Sequence, residues 1–182
     1  MALNARTRGL CIALTLALEV LGPGCGGWDG GNVYTQRWHP RWQRELSDTT
    51  YRVGVPGPHW EPHQEQDAQV AWRRTDGSGM ITARAQCEAH GDRTLEQFLD
   101  DLRLDFRYWT EQQRSMVRFA GREGLRVRSI VTLDGVSLTM DALLLKKNGC
   151  LFDFWYVATD GAFHTGLADY ERFLVGFQFP LR

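Results

Sequence analysis

Four groups of residues in this 182-residue chain have side chains capable of chemistry. The densest is His59, Glu61, His63 and Glu65, imidazoles and carboxylates of the kind that donate to zinc. A zinc site needs three or four donors converging at about 2 Å. Pro58 and Pro62 interrupt this stretch, so a polar loop is the expected state and no metal is assigned. Cys87 and His90 have a ligand-like spacing, yet one pair is not a site, and a bond from Cys87 to Cys150 would remove the thiolate. Ser78 stands between Gly77 and Gly79, where a turn requires small residues; there is no Gly-x-Ser-x-Gly elbow to make it a nucleophile. Arg84, Arg126 and Arg128 fall opposite the apolar sets of their segments, with Asp141 and Asp153 on neighbouring ones. They are read as a cross-strand charge ladder, either a charged binding surface or a solvated or helix-covered sheet face. Glycine-rich phosphate cradles are absent from the sequence. The assignment is therefore no catalytic residue, no metal ligand, no cofactor and an unknown ligand site.

The remaining chemistry belongs to cysteine. Arg6 and Arg8 form a basic head, and Gly9 to Leu18 is an apolar run too short to span a bilayer as a stable helix. Small residues, Gly22-Pro23-Gly24, then precede Cys25. This segment resembles the signal of bacterial lipoproteins. In them the cysteine takes diacylglycerol on its sulfur, becomes the new N-terminus and carries palmitate-type chains. The resemblance implies residues 1–24 as a cleaved signal and Cys25 as the lipid attachment site. Gly26 in place of an aspartate favours the outer membrane, facing the periplasm. Plain secretion after cleavage elsewhere and an uncleaved anchor are the alternatives.

An exported chain meets an oxidising compartment, and Cys87 and Cys150 are the cysteines left once Cys11 and the anchor are set aside. They are expected to pair, with two buried free thiols as the alternative. No Cys-x-x-Cys makes them a redox pair. Formal net charge is −1, so no basic excess argues for nucleic acid. Seven tryptophans and 12% aromatic residues suit a sheet-based core and a contact surface.

The elements that must position these groups are legible in part. Gly26 to Asp48, rich in glycine and polar residues, reads as a tether, so that residues 25–48 form a lipidated N-terminus and linker and residues 49–182 one domain. Tyr51, Val53 and Val55 alternate before Pro56-Gly57-Pro58. Ala68 to Arg73 and Met80 to Cys87 flank a glycine-rich turn. Thr94 and Gln97 form a capping box, and Leu95, Phe98, Leu99, Leu102, Phe106 and Trp109 follow at helical spacing. Met116 to Ala120, Leu125 to Leu133, Val136 to Leu145 and Cys150 to Ala158 read as a meander. Asp134-Gly135 and Asn148-Gly149 give two-residue hairpin turns. Phe163, Leu167, Tyr170, Leu174 and Phe177 mark a closing helix, capped by Thr159 or Asp160. The class is α+β, an antiparallel sheet of about six strands packed by two main helices.

The strand end from Val53 to Pro56 followed by Trp60, the strand–helix–meander order and the aromatic closing helix resemble the PsbP-like superfamily, which includes periplasmic DcrB-like lipoproteins. The resemblance implies a sheet packed by helices on its two sides and a binding role, since members are mostly non-enzymatic assembly factors and partner-binding modules. The expectation is a lipid-anchored periplasmic scaffold for an envelope protein complex, bound to the membrane through its lipid and not to nucleic acid. Its envelope partner is not identified by the sequence. The alternatives are a carrier of a small hydrophobic or lipid-like ligand, lined by Trp109, Phe152, Phe154 and Trp155, and an enzyme with a loop site at His59 and His63.

Overall fold

The structure is a computed structural model that describes residues 32–35, 50–66, 68–87, 91–104 and 106–179. The signal, Cys25, His90 and most of the tether lie outside the described residues. In chain order the elements are β1 (Asn32–Thr35), β2 (Thr50–Val53), β3 (Trp60–His63), β4 (Val70–Arg74), β5 (Gly79–Cys87), α1 (Leu95–Arg103), β6 (Tyr108–Phe119), β7 (Arg122–Leu133), β8 (Val136–Lys147), β9 (Cys150–Ala158) and α2 (Asp160–Val175). Seven strands make one antiparallel sheet in the order β3–β4–β5–β9–β8–β7–β6, and β1 pairs with β2 beside it. Asn32–Thr35, which falls within the expected tether, is thus a strand.

The hairpins are set by backbone chemistry. Asp134 and Gly135 have φ of 48° and 81°, and Asn148 and Gly149 have 49° and 77°, the left-handed pairs that a type I′ turn requires. A third such pair, Ala120 and Gly121 at 48° and 79°, lacks the Asn or Asp signature that flags the other two. It lets β6 and β7 run their full lengths against each other.

That pairing corrects the helix expected through Phe106 and Trp109. The capping box forms as expected: the Gln97 amide donates to Thr94 Oγ1 at 3.3 Å, and the Thr94 amide to Gln97 Oε1 at 2.8 Å. But α1 ends at Arg103, and Trp109 stands opposite Val131 in the β6–β7 ladder. Only the Met116 to Phe119 end of β6 matches the expected strand; its first part is hidden because β6 is an edge strand exposed along most of its length, so its residues show little alternation. His59 to Glu65 also differs from expectation, since Trp60–His63 is β3, the opposite edge. Pro62 is tolerated there because an edge strand need not donate every ladder hydrogen bond.

Strand pleating divides the core into two. On one face Phe152, Phe154 and Tyr156 of β9 pack with Ile81 and Ala83 of β5 beneath Phe163, Tyr170 and Phe173 of α2. On the other, Phe98, Leu99 and Leu102 of α1 cover Leu125 and Val127 of β7, Met140 and Leu144 of β8, and Leu151 of β9. The Tyr170 hydroxyl donates to the Phe154 carbonyl at 2.9 Å and the Tyr156 hydroxyl to the Phe163 carbonyl at 3.0 Å. Burial pushes the Tyr156 phenol up to about 12 and the Tyr170 phenol well above its usual value, so both remain donors.

The C-terminal end of α2 crosses the chain after β2 at two glycines. A Cβ on Gly176 would lie 2.3 Å from the Gly54 amide nitrogen and 2.4 Å from its Cα, and the Gly54 amide donates to the Phe173 carbonyl at 3.0 Å. Backbone meets backbone, so no side chain can yield. Gly176→Ala is expected to cost about 2 kcal/mol through forced separation of these segments. Urea denaturation checks this, and Gly161→Ala, which has open space on α2, is the control.

Candidate functional site

The two faces of the sheet differ in how far their helices cover them. Helix α2 has 16 residues, α1 only nine. Alternation sends Met80, Thr82, Arg84 and Gln86 of β5 and Leu151, Asp153, Trp155 and Val157 of β9 to the α1 face. Because α1 rests on β7, β8 and the Leu151 end of β9, the part of this face around Met80 and Thr82 of β5 and Trp155 and Val157 of β9 is left without a helix.

The floor there is a charged pair. Arg84 and Asp153 are direct cross-strand partners, with Arg84 Nε donating to Asp153 Oδ2 at 2.9 Å. The Asp153 side chain is 6% exposed and that of Arg84 33%. Burial pushes the Asp153 carboxyl up to about 6, and the charge and hydrogen bond of Arg84 only partly oppose that rise. The pair separates two cavities. One, of about 330 Å³, is walled by Met80, Thr82, Phe106, Leu133, Trp155 and Val157. The other, of about 230 Å³, lies under α1 between Phe98, Leu102 and Leu144. Helix α1 is held beside it by Phe98, over whose ring Arg93 and Lys146 sit at 4.6 and 5.6 Å from the centroid.

A second charged cluster occupies the opposite face. Asp141, 1% exposed, accepts from Arg126 Nε at 2.7 Å and from an Arg128 terminal nitrogen at 2.9 Å, and Arg126 also donates to Glu171 of α2. Burial works against the Arg126 charge, but its hydrogen bonds to Asp141 and Glu171 outweigh it and raise the pKa. A cavity of about 270 Å³ opens beside these groups toward Gln113 and Ser115. The expected charge ladder is therefore corrected. Its pairs form, but on two faces of the sheet and with both aspartates buried, because β5 and β7 present their arginines in opposite phase.

The four aromatic residues expected to line one ligand site also separate. Phe152 and Phe154 lie under α2, while Trp155 and Trp109 lie on the α1 side. Glu61 pairs with Arg73 at 2.7 Å across β3 and β4. Among the described residues no group of three His, Cys, Asp or Glu side chains is placed to hold a metal ion. The Ser78 hydroxyl and amide both donate to Asp76 Oδ1, at 2.6 and 2.9 Å, closing the β4–β5 turn. Cys87 and Cys150 are joined by a disulfide at the end of the β5–β9 ladder. Of the larger cavity's walls the sequence pointed to Trp155 alone, since Thr82, Phe106 and Leu133 meet it only once β5 pairs with β9 and the α1–β6 connection turns back.

The architecture is α+β, one antiparallel sheet between two helices. Its arrangement is PsbP-like. The cyanobacterial PsbP protein CyanoP of Synechocystis matches with a TM-score of 0.54 at 12% identity, over 86% of this chain and 96% of that one. LpqN of Mycobacterium tuberculosis, described as involved in cell envelope biogenesis, matches with a TM-score of 0.53 at 11% identity, over 70% of this chain and 82% of that one. No protein-family model matches the sequence, and no curated protein matches it.

Proposed function

We propose that this protein is a lipid-anchored, non-catalytic binding module of the cell envelope that supports a protein complex on the periplasmic side of the outer membrane. The observation that carries the reading is the apolar surface at the open end of the α1 face. Leu133 and Val136, direct cross-strand partners on that face, are 43% and 52% exposed. Exposed apolar side chains grouped in this way, beside the long free edge of β6, are the usual mark of a contact surface. The buried carboxylates Asp141 and Asp153 are both committed to arginines, which suits a structural role. A PsbP-like fold shared with a protein of envelope biogenesis supports the same reading.

A photo-crosslinking residue at 133 or 136, introduced in the native envelope, is expected to capture one protein stoichiometrically, whereas one at Val175, exposed on α2, does not. Equal capture from all three positions, or none, would overturn the proposal. Cys25→Ala is expected to move most of the protein from the membrane pellet to the soluble fraction. Unchanged sedimentation would show that the anchor is misassigned.

A further inference from the structure

We propose that the 330 Å³ cavity between β5, β9 and the α1–β6 connection is a binding site for a small uncharged molecule, mostly apolar and carrying one carbonyl acceptor such as an amide or ester. The site goes beyond the partner-binding reading and does not depend on it.

Size and lining set the first part of the ligand's chemistry. The volume falls at the lower end of ligand sites, about 300–1,000 Å³. Met80, Phe106, Leu133, Trp155 and Val157 make the walls apolar, which suits a short alkyl chain or an aromatic ring. The Phe106 and Trp155 rings, 6.1 Å apart between centroids, form one side.

The polar requirement comes from Arg84. Its Nε is used by Asp153, while its terminal nitrogens have no hydrogen-bond partner among the described residues. Arg84 borders both cavities and is exposed enough to offer those donors to a guest. An acceptor is therefore wanted.

Charge decides which acceptor. Among the described residues, the charged groups bordering this cavity are Arg84, Asp153 and Glu65, which leaves one negative charge in excess. Across the pair, Arg93 and Asp101 in the second cavity cancel. A carboxylate guest would meet Arg84 but also the fields of Asp153 and Glu65, and would lose its hydration against apolar walls. An ammonium guest drawn to Glu65 would meet the like charge of Arg84, leave the terminal N–H groups of Arg84 unused and lose its hydration against apolar walls. A neutral carbonyl takes the free N–H groups without either cost.

The test uses the full-length protein and three probes of equal chain length: octanamide, octanoate and octylammonium. Binding is read from the indole N–H resonance of Trp155 in 15N-labelled protein, identified by its loss in Trp155→Phe. Octanamide is expected to shift that resonance saturably at sub-millimolar concentration, with octanoate and octylammonium at least tenfold weaker at pH 8. Thr82→Trp, which fills the cavity from β5, is expected to abolish the shift. The double variant Arg84→Met/Asp153→Leu removes the donor and its buried counter-charge together, so it should fold and bind octanamide at least tenfold more weakly. No saturable shift, an octanoate affinity equal to that of octanamide, or undiminished binding by either variant overturns the proposal.

Discussion

Replacing Cys87 and Cys150 together by alanine is expected to lower the free energy of unfolding by about 4 kcal/mol. The bond joins residues 63 apart in sequence, and the chain between them contains α1, β6, β7 and β8. In the chain-entropy model a closed loop of that size lies between the roughly 3 kcal/mol of a 15-residue loop and the roughly 5 kcal/mol of a 100-residue one. Its position makes the constraint effective. Every other neighbouring strand pair in the main sheet is consecutive in the chain, whereas β5 and β9 are not. The β5–β9 ladder is thus the one joint between β3–β4–β5 and the β6–β9 meander, and the disulfide ties its end at Cys87 opposite Cys150. Closing that joint without the bond means ordering a long loop before any contact rewards it. Urea denaturation should show a lower midpoint and a steeper slope, because the unfolded chain without the cross-link is more expanded. A loss below about 1 kcal/mol would mean that packing alone holds the joint.

What was readable in the sequence followed from how local each feature is. Asp134-Gly135, Asn148-Gly149 and the Thr94–Gln97 box declare themselves within four residues, and all three form. The central strands β5, β8 and β9 were found nearly to their ends, because both faces of β8 and β9 are buried and β5 alternates cleanly. The edges were not. β3 carries a proline and two exposed residues, and β6 is largely solvated, so neither shows a hydrophobic period. Trp109 gave false support to a longer helix because its seven-residue spacing from Leu102 fits a helix, while its burial arises from β7. The candidate site was legible only as parts. Arg84 and Asp153 were identified, but the face on which each lands depends on the β5–β9 register, which no residue within a few positions encodes. A PsbP-like order of elements was recognisable because it rests on succession and not on the detailed geometry of any site.

Removing Arg84 should expose how much of the buried charge at Asp153 it supports. Arg84→Met is expected to cost about 3 kcal/mol at pH 8, since Asp153 would then be an unpaired carboxylate on an apolar floor. The double variant Arg84→Met/Asp153→Leu should recover most of that loss, because two apolar groups of similar volume replace the pair. The pH dependence separates charge from packing. In the parent protein the Asp153 carboxyl titrates near 6, above its value of about 3.9 in an unfolded chain, so between these values the folded state binds more protons than the unfolded one. Stability contributed by Asp153 therefore falls as pH rises through that window and is level above it. Without Arg84 the folded carboxyl loses a group that lowers its pKa, and the window extends upward. The deficit of Arg84→Met relative to the parent should accordingly shrink as pH falls from 8 toward 5, while the double variant should track the parent at pH 8 without the Asp153 slope. Chemical denaturation of the three proteins across this range is the measurement. A deficit in Arg84→Met that is the same at pH 8 and pH 5 would assign the loss to the packing of the arginine stem and not to the stranded charge.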